Sequence, residues 1–187
     1  MPEFLIRAAK VSDARAIAEV NVAAWRESYG AIMPAEYLAA LDVDEWELGW
    51  RRKLAGDAGL EVLLVSQGAG EPAGFAAFGP PRSERLAAAG YSGEFHAVYL
   101  LRSIQRRGAG RALMGRMSKS LLERGVTKAG AWVFRGNPPA RRFYERLGGQ
   151  EIGLEGVLAL AGVEYPDLVY AWPDLAALEA QCRLRIS

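Results

Sequence analysis

The chain has 187 residues, 51% of them hydrophobic, enough to fill the core of one domain. With 23 Lys and Arg against 22 Asp and Glu, its net charge of +1 excludes a general pull toward nucleic acid or acidic membranes, so any anion site must be local. One cysteine, Cys182, and one histidine, His96, exclude an internal disulfide framework and argue against a Cys/His zinc site.

Met1 to Lys10 lacks the apolar core of a signal peptide, and no run approaches the roughly 20 apolar residues of a membrane helix. The chain reads as cytoplasmic. Phe4-Leu5-Ile6 predicts a strand, after which Ser12-Asp13 offers N-cap oxygens to a helix carrying Ile17, Val20, Asn21, Ala24 and Trp25 on one face. Tyr29-Gly30 ends it, and Met33-Pro34 opens a short helical segment through Tyr37, Leu38 and Leu41. Trp25, Tyr29 and Tyr37 read first as core, and second as walls of a substrate pocket. Asp44 is placed to cap a helix with Trp46, Trp50 and Leu54 on one stripe and Arg51, Arg52 and Lys53 on a solvated face.

Glu61 to Ser66 and Ala73 to Gly79 predict an antiparallel hairpin across a glycine-rich loop. Pro80 to Gly93 reads as a surface loop or short helix able to border a pocket. Glu94 to Leu101 predicts a strand with Glu94, His96, Val98 and Leu100 on one face. A helix beginning near Arg111 carries Leu113, Met114, Met117, Leu121 and Leu122, with Gly125 as its terminator. Ala129 to Phe134 is the next strand, and Asn137-Pro138-Pro139 leads into a helix with Phe143, Tyr144 and Leu147 on one side, stopped at Gly148-Gly149. Gly156 to Leu160 and Tyr165 to Trp172 predict a closing hairpin, and a last helix spans Asp174 to Arg185. The order gives an α/β sheet of mixed direction, with strand-helix-strand at 94 to 134 parallel. We expect one domain over residues 1–173 and a helical extension over 174–187, packed on it or serving as an oligomer contact through Leu175, Leu178 and Cys182.

The stretch Gln105-Arg106-Arg107-Gly108-Ala109-Gly110 lies between strand and helix. A helix's first turn leaves backbone N–H groups unpaired at the positive end of its dipole, and glycine lets the backbone approach an anion closely. A P-loop requires Gly-Lys-Ser/Thr, which is absent, and a dinucleotide fingerprint requires a small residue where Leu113 stands.

The remaining pattern, Gln/Arg-x-x-Gly-x-Gly/Ala between a strand and a helix, resembles the GNAT N-acetyltransferase superfamily. The resemblance extends to Asn137, Ala140, Phe143-Tyr144-Glu145-Arg146 and Leu147-Gly148, and to Ile6-Arg7-x-Ala9 with Asp13. It implies the GNAT acyl-CoA N-acyltransferase fold, a central twisted mixed β-sheet flanked by helices. It also implies acetyl-CoA as cosubstrate, in a splay between the strands ending near Leu101 and Phe134, with the pyrophosphate on backbone from Arg106 through Arg107, Gly108, Ala109 and Gly110 to Arg111. Leu100 and Leu101 would pair with the pantetheine arm, the N–H of Leu100 would polarise the thioester carbonyl, and Asn137 would hold the arm from the opposite strand. Asn137 also suits an N-cap.

Acyl transfer from a thioester to an amine needs an unprotonated amine, a stabilised oxyanion and a proton for the departing thiolate. Tyr144 resembles the family tyrosine near the CoA sulfur and is nominated as the acid. Glu94, eleven residues before Gln105, stands where several family members carry a base. It reads equally as an ammonium anchor or a strand-edge charge, and His96 is the other candidate base. Arg106, Arg107, Arg111, Arg141 and Arg142 are candidates for the phosphates. Arg102 and Gly149 depart from the family's frequent proline and phenylalanine.

The sequence thus reads as an N-acetyltransferase working by direct attack of a primary amine on acetyl-CoA in a ternary complex, without metal. Cys182 is a poor nucleophile by its position. The alternative is a non-catalytic acetyl-CoA-binding regulatory module on the same fold. The acceptor is a small-molecule amine, an amino acid or a peptide amine. Aromatics near Glu27, Glu36 and Glu94 would suit a small cationic one. Homodimerisation, common in the family, fits as well. Nucleic acid and membrane are not expected partners.

Overall fold

A computed structural model describes residues 4–56 and 59–183. Seven strands form one mixed sheet in the order β1-β2-β3-β4-β5-β7-β6, flanked by helices. By internal contacts the chain divides into two compact units, Met1–Phe78 with Ala97–Leu113, and Gly79–His96 with Met114–Ser187. Strand β4 (Gly93–Leu100) and helix α5 (Ala109–Glu123) each contribute residues to both.

In the first unit, β1 (Phe4–Ala8) pairs antiparallel with β2 (Glu61–Gln67), and β2 with β3 (Pro72–Gly79). Helix α1 (Ala14–Tyr29) buries the expected stripe of Ile17, Val20, Asn21, Ala24 and Trp25. It packs with Trp50 of α3 (Val43–Gly56), Val62, Leu64, Phe75 and Ala77, against which Ala97, Tyr99 and Leu101 also lie. The short helix after Pro34 is α2 (Ala35–Ala39).

Two caps differ from expectation. Asp13 closes a 3-10 turn, Val11–Asp13, in front of α1: its carboxylate accepts the Lys10 backbone N–H at 2.7 Å and both Arg7 nitrogens at 2.7 Å. The cap of α3 is Asp42, which accepts from the N–H of Asp44 at 2.6 Å, while Asp44 lies inside the helix and pairs with Arg15. The chain offers two aspartates two residues apart, and capping falls to the one whose backbone stays outside the helix.

In the second unit, β4 begins parallel to β5 (Ala129–Phe134), with Gly93 against Ala129 and Glu94 against Gly130. Strand β7 (Val163–Trp172) pairs antiparallel with β5 on one side and β6 (Gln150–Leu160) on the other. Strand β6 starts six residues before the expected Gly156, because a register shift between Glu151 and Glu155, with Gly153 at φ 72°, interrupts its alternation. The loop after β3 contains α4 (Glu84–Ala88), capped by Ser83. Gly125, at φ 78°, ends α5 with two bonds of a Schellman turn, Gly125 N–H to Leu122 O and Val126 N–H to Leu121 O. The last helix is α7 (Leu175–Arg183), capped by Asp174, and its expected continuation to Arg185 lies outside the described residues. Leu175, Leu178 and Cys182 are buried, so the face expected as an oligomer contact is already covered. Among the described residues no helix is long and apolar enough to cross a membrane.

The hydrogen bonds from Arg7 hold the Asp13 carboxyl below the usual carboxylate range. A lowered folded pKa gives stability that is full above the unfolded value of about 3.9 and is lost as pH falls through the folded one. Asp13→Asn is therefore expected to lower the melting temperature at pH 7, with the difference from the parent shrinking on acidification below that value. A constant difference down to strong acid would refute the linkage.

Candidate active site

In the first unit the chain passes from β4 to α5 through a 3-10 turn at Arg102–Ile104 and the glycine loop. Leu101 N–H donates to Ala73 O of β3 at 2.8 Å. Successive peptide groups of an extended chain face opposite edges, so the N–H of Leu100 turns away from β3. The Leu100 carbonyl accepts from Gln105 Nε2 at 2.8 Å, a bond that folds the loop back on the strand end. Arg106 at φ 57° and Gly108 at φ 97° then reverse the backbone. The value at 108 lies where side chains are strained, so glycine fits there. Ala112 N–H donates to Gly108 O at 3.0 Å, making Gly108 the cap of α5 and leaving the N–H groups of Ala109, Gly110 and Arg111 in its first turn. Ala109 and Gly110 are buried, and Arg106 and Arg107 are exposed. Arg107 donates to Gln67 Oε1 at 3.0 Å and Ser103 O at 3.2 Å.

The departure from proline at 102 has a physical counterpart. The Arg102 backbone N–H, which proline lacks, donates to Glu27 Oε2 at 2.7 Å, and its guanidinium donates to the Glu27 carbonyl at 2.6 Å. Glu27, expected beside a cationic amine, is thus committed to Arg102. In the same unit Tyr29 and Tyr99 hydroxyls lie 3.1 Å apart, and the Trp25 ring stands edge-on to Tyr29. Both aromatics of α1 are buried in the core.

In the second unit Glu94 is 1% exposed. Its Oε2 accepts the Arg82 backbone N–H at 2.8 Å, and Oε1 accepts Arg82 Nε at 3.0 Å and Nη2 at 2.7 Å. Arg82 also reaches the His96 carbonyl at 3.4 Å, and His96 Nε2 lies 2.8 Å from Pro80 O. Both candidate bases thus hold the segment Pro80 to Arg82 against β4. Sequence reasoning missed Arg82. It stood twelve residues away in a loop read as surface, and the only signal was that a carboxylate inside a strand needs a cation.

Asn137 begins α6 (Pro138–Arg146), its side chain accepting from Ala140 N–H at 3.2 Å, which is the N-cap role. Tyr144, seven residues on, is buried among Phe143, Tyr170 and Trp172, at ring separations of 5.4, 6.0 and 5.5 Å. The second departure is also explained. A Cβ on Gly149 would meet Trp172 at 2.7 Å, so the indole fills the room of a side chain at 149, and its Nε1 donates to Leu147 O. Arg141, a phosphate candidate, is engaged by Tyr170 and Glu151. Desolvation, followed by its bond to Glu145, raises the Tyr170 pKa. Among the described residues no group of three His, Cys, Asp or Glu is placed to hold a metal ion.

A family model described as acetyltransferase (GNAT) family matches residues 17–149. The chain is 39% identical over 175 residues to the uncharacterised N-acetyltransferase YuaI of Bacillus subtilis (strain 168), covering 93% of this chain and 95% of that one. Two solved structures share the fold at low identity. One is a GCN5-related N-acetyltransferase from Rhodopseudomonas palustris, with TM-score 0.70, 17% identity and coverage of 89% and 93%. The other is YncA from Salmonella typhimurium with its cofactor acetyl-CoA, with TM-score 0.64, 23% identity and coverage of 92% and 94%.

Removing the Arg82 side chain strips the buried Glu94 carboxylate of its guanidinium donors. Arg82→Ala is expected to lower the unfolding free energy in urea by about 1.5–3 kcal/mol, the cost arising on the Glu94 side because Arg82 itself is largely exposed. An unchanged midpoint would show that the pair adds nothing.

Proposed function

The chain belongs to the acetyltransferase (GNAT) family, and from that premise we propose that it transfers the acetyl group of acetyl-CoA to a primary amine by direct attack in a ternary complex. The family makes it an acyltransferase. The observation that carries the finer reading is the loop from Gln105 to Gly110. Its positive-φ residues and the first-turn N–H groups of α5 form the kind of backbone nest that suits a diphosphate. In this reading that nest receives the pyrophosphate of acetyl-CoA, with Arg106, Arg107 and Arg111 as neighbouring cations. Leu100 and Leu101 supply strand backbone to the pantetheine arm, and Asn137 adds its amide from the start of α6.

The amine nitrogen attacks the thioester carbonyl carbon, the C–S bond breaks, and the Leu100 N–H stabilises the oxyanion between those events. Tyr144 gives its hydroxyl proton to the leaving thiolate. Glu94 takes the proton of the incoming amine, directly or through water. Its clasp by Arg82 favours Oε2 as the proton acceptor, because the guanidinium donates twice to Oε1 whereas Oε2 takes only the Arg82 backbone N–H.

Tyr144→Phe is expected to reduce turnover about 100-fold while the CoA dissociation constant stays within twofold of the parent. Equal loss of both would make Tyr144 a packing residue. Glu94→Gln is expected to lower kcat about 100-fold at a fixed pH while CoA binding is kept. If turnover is unchanged, the base is His96 or water.

A further inference from the structure

Strand β6 is the last strand of the sheet, and among the described residues no strand pairs with its side away from β7. An edge of this kind offers a row of N–H and C=O groups to another chain, and native proteins blunt it with charges, prolines, bulges or brevity. The first half of β6 is blunted in this way. It carries Glu151 and Glu155 with the register shift between them, and Arg85 of α4 donates to the Glu155 carbonyl. The second half has none of these devices. Residues 156–163 contain no charge and no proline. Val157, Leu158 and Val163 are 56%, 39% and 42% exposed, which puts on one hairpin half of the large exposed hydrophobic side chains among the described residues. The sheet's other edge strand, β1, is short and carries Arg7.

The backbone of that half is turned outward where it matters. Pro166 O accepts the Arg135 N–H, just past β5, at 2.9 Å, so the backbone groups of Pro166 face away from β6. Val157 is paired with Pro166 and therefore turns its own N–H and C=O away from β7, as does Ala159 two residues on. A second copy of the same segment meets these groups. With a twofold axis at Leu158, Val157 of one copy stands opposite Ala159 of the other, and each such pair exchanges both of its N–H···O bonds. Leu158 then faces Leu158 across the axis, in the closer kind of antiparallel pair, with Cα atoms about 4.5 Å apart. The register also keeps like charges apart. Glu155 falls opposite the turn at Ala161, and its carboxylate is already paired with Arg135. A net charge of +1 gives two copies little mutual repulsion.

We propose that the second half of β6 is a self-association surface, through which two copies of the chain pair antiparallel at Val157, Leu158 and Ala159 and join their sheets edge to edge. The face of α7 expected as an oligomer contact is buried in its own chain, and this edge takes that role instead. The pairing removes the unblunted edge from solvent and covers Val157 and Leu158 with their own equivalents. It stands independently of the transferase reading.

Sedimentation velocity of the full chain over about 1–100 µM should show a dimer that grows with concentration. Ala159→Pro removes an N–H that only the second copy uses, at an edge position where proline is tolerated, and should weaken the dimer at least about tenfold. Leu158→Lys or Leu158→Glu alone sets like charges against each other across the axis and should do the same. An equimolar mixture of Leu158→Lys and Leu158→Glu should recover a dimer with one copy of each, because the axis at Leu158 brings the opposite charges together. Far-UV circular dichroism checks that each variant is folded, and if one is not, the other decides. A parent that stays monomeric throughout, a dimer that neither Ala159→Pro nor Leu158→Lys weakens, or a mixture no more associated than its components would each overturn the proposal. Loss of fold in both Ala159→Pro and Leu158→Lys would show that the edge serves its own chain and would overturn it as well.

Discussion

The bond from the Gln105 side chain to the Leu100 carbonyl is the constraint on which the loop depends. A strand ending in an open carbonyl and a helix opening with unpaired N–H groups have opposite needs, and six residues must serve both. Gln105 closes the first need with its own amide, 2.8 Å from the carbonyl. Arg106 and Gly108 then turn the backbone into the first turn of α5. Glutamine or arginine at this position has a simple rationale, since either reaches a carbonyl with a planar N–H donor. The glycine at 108 is required by dihedral angle, because nothing lies within 4 Å of a Cβ placed there.

Where the chain departs from the family's habits, it substitutes a different contact for the one lost. At 102 a proline would stiffen the turn, and the arginine instead ties it to Glu27 through a backbone N–H and a guanidinium. At 149 an aromatic ring is absent from α6's end, and Trp172 of β7 occupies the room from the other direction. Each exchange preserves local rigidity while moving its source to a residue distant in sequence. That is why neither compensation was visible beforehand.

Periodicity made most elements legible: α1 and α5 announced themselves by buried stripes, α3 by a stripe in which Trp50 is buried and Trp46 and Leu54 are half-buried, and β5 by its bounds, Ala129 to Phe134. Strand β6 was half missed, because its bulge at Glu151 to Glu155 breaks the alternation on which strand reading relies. The loop and Asn137 were readable because their chemistry lies in local backbone, which short patterns encode. The Arg82–Glu94 clasp was not, since a sequence shows that a charge exists and not what stands opposite it. Even the cap of α3 turned on which of two aspartates left the helix first.

His96 has a consequence beyond its nomination as a base. A carbonyl oxygen can only accept, so the contact with Pro80 O at 2.8 Å requires a proton on Nε2 and fixes the neutral ring in that tautomer. It is the chain's sole imidazole. Its ring-nitrogen resonances therefore assign themselves, with no other imidazole to overlap them. They report whether the bond to the Pro80 carbonyl is kept.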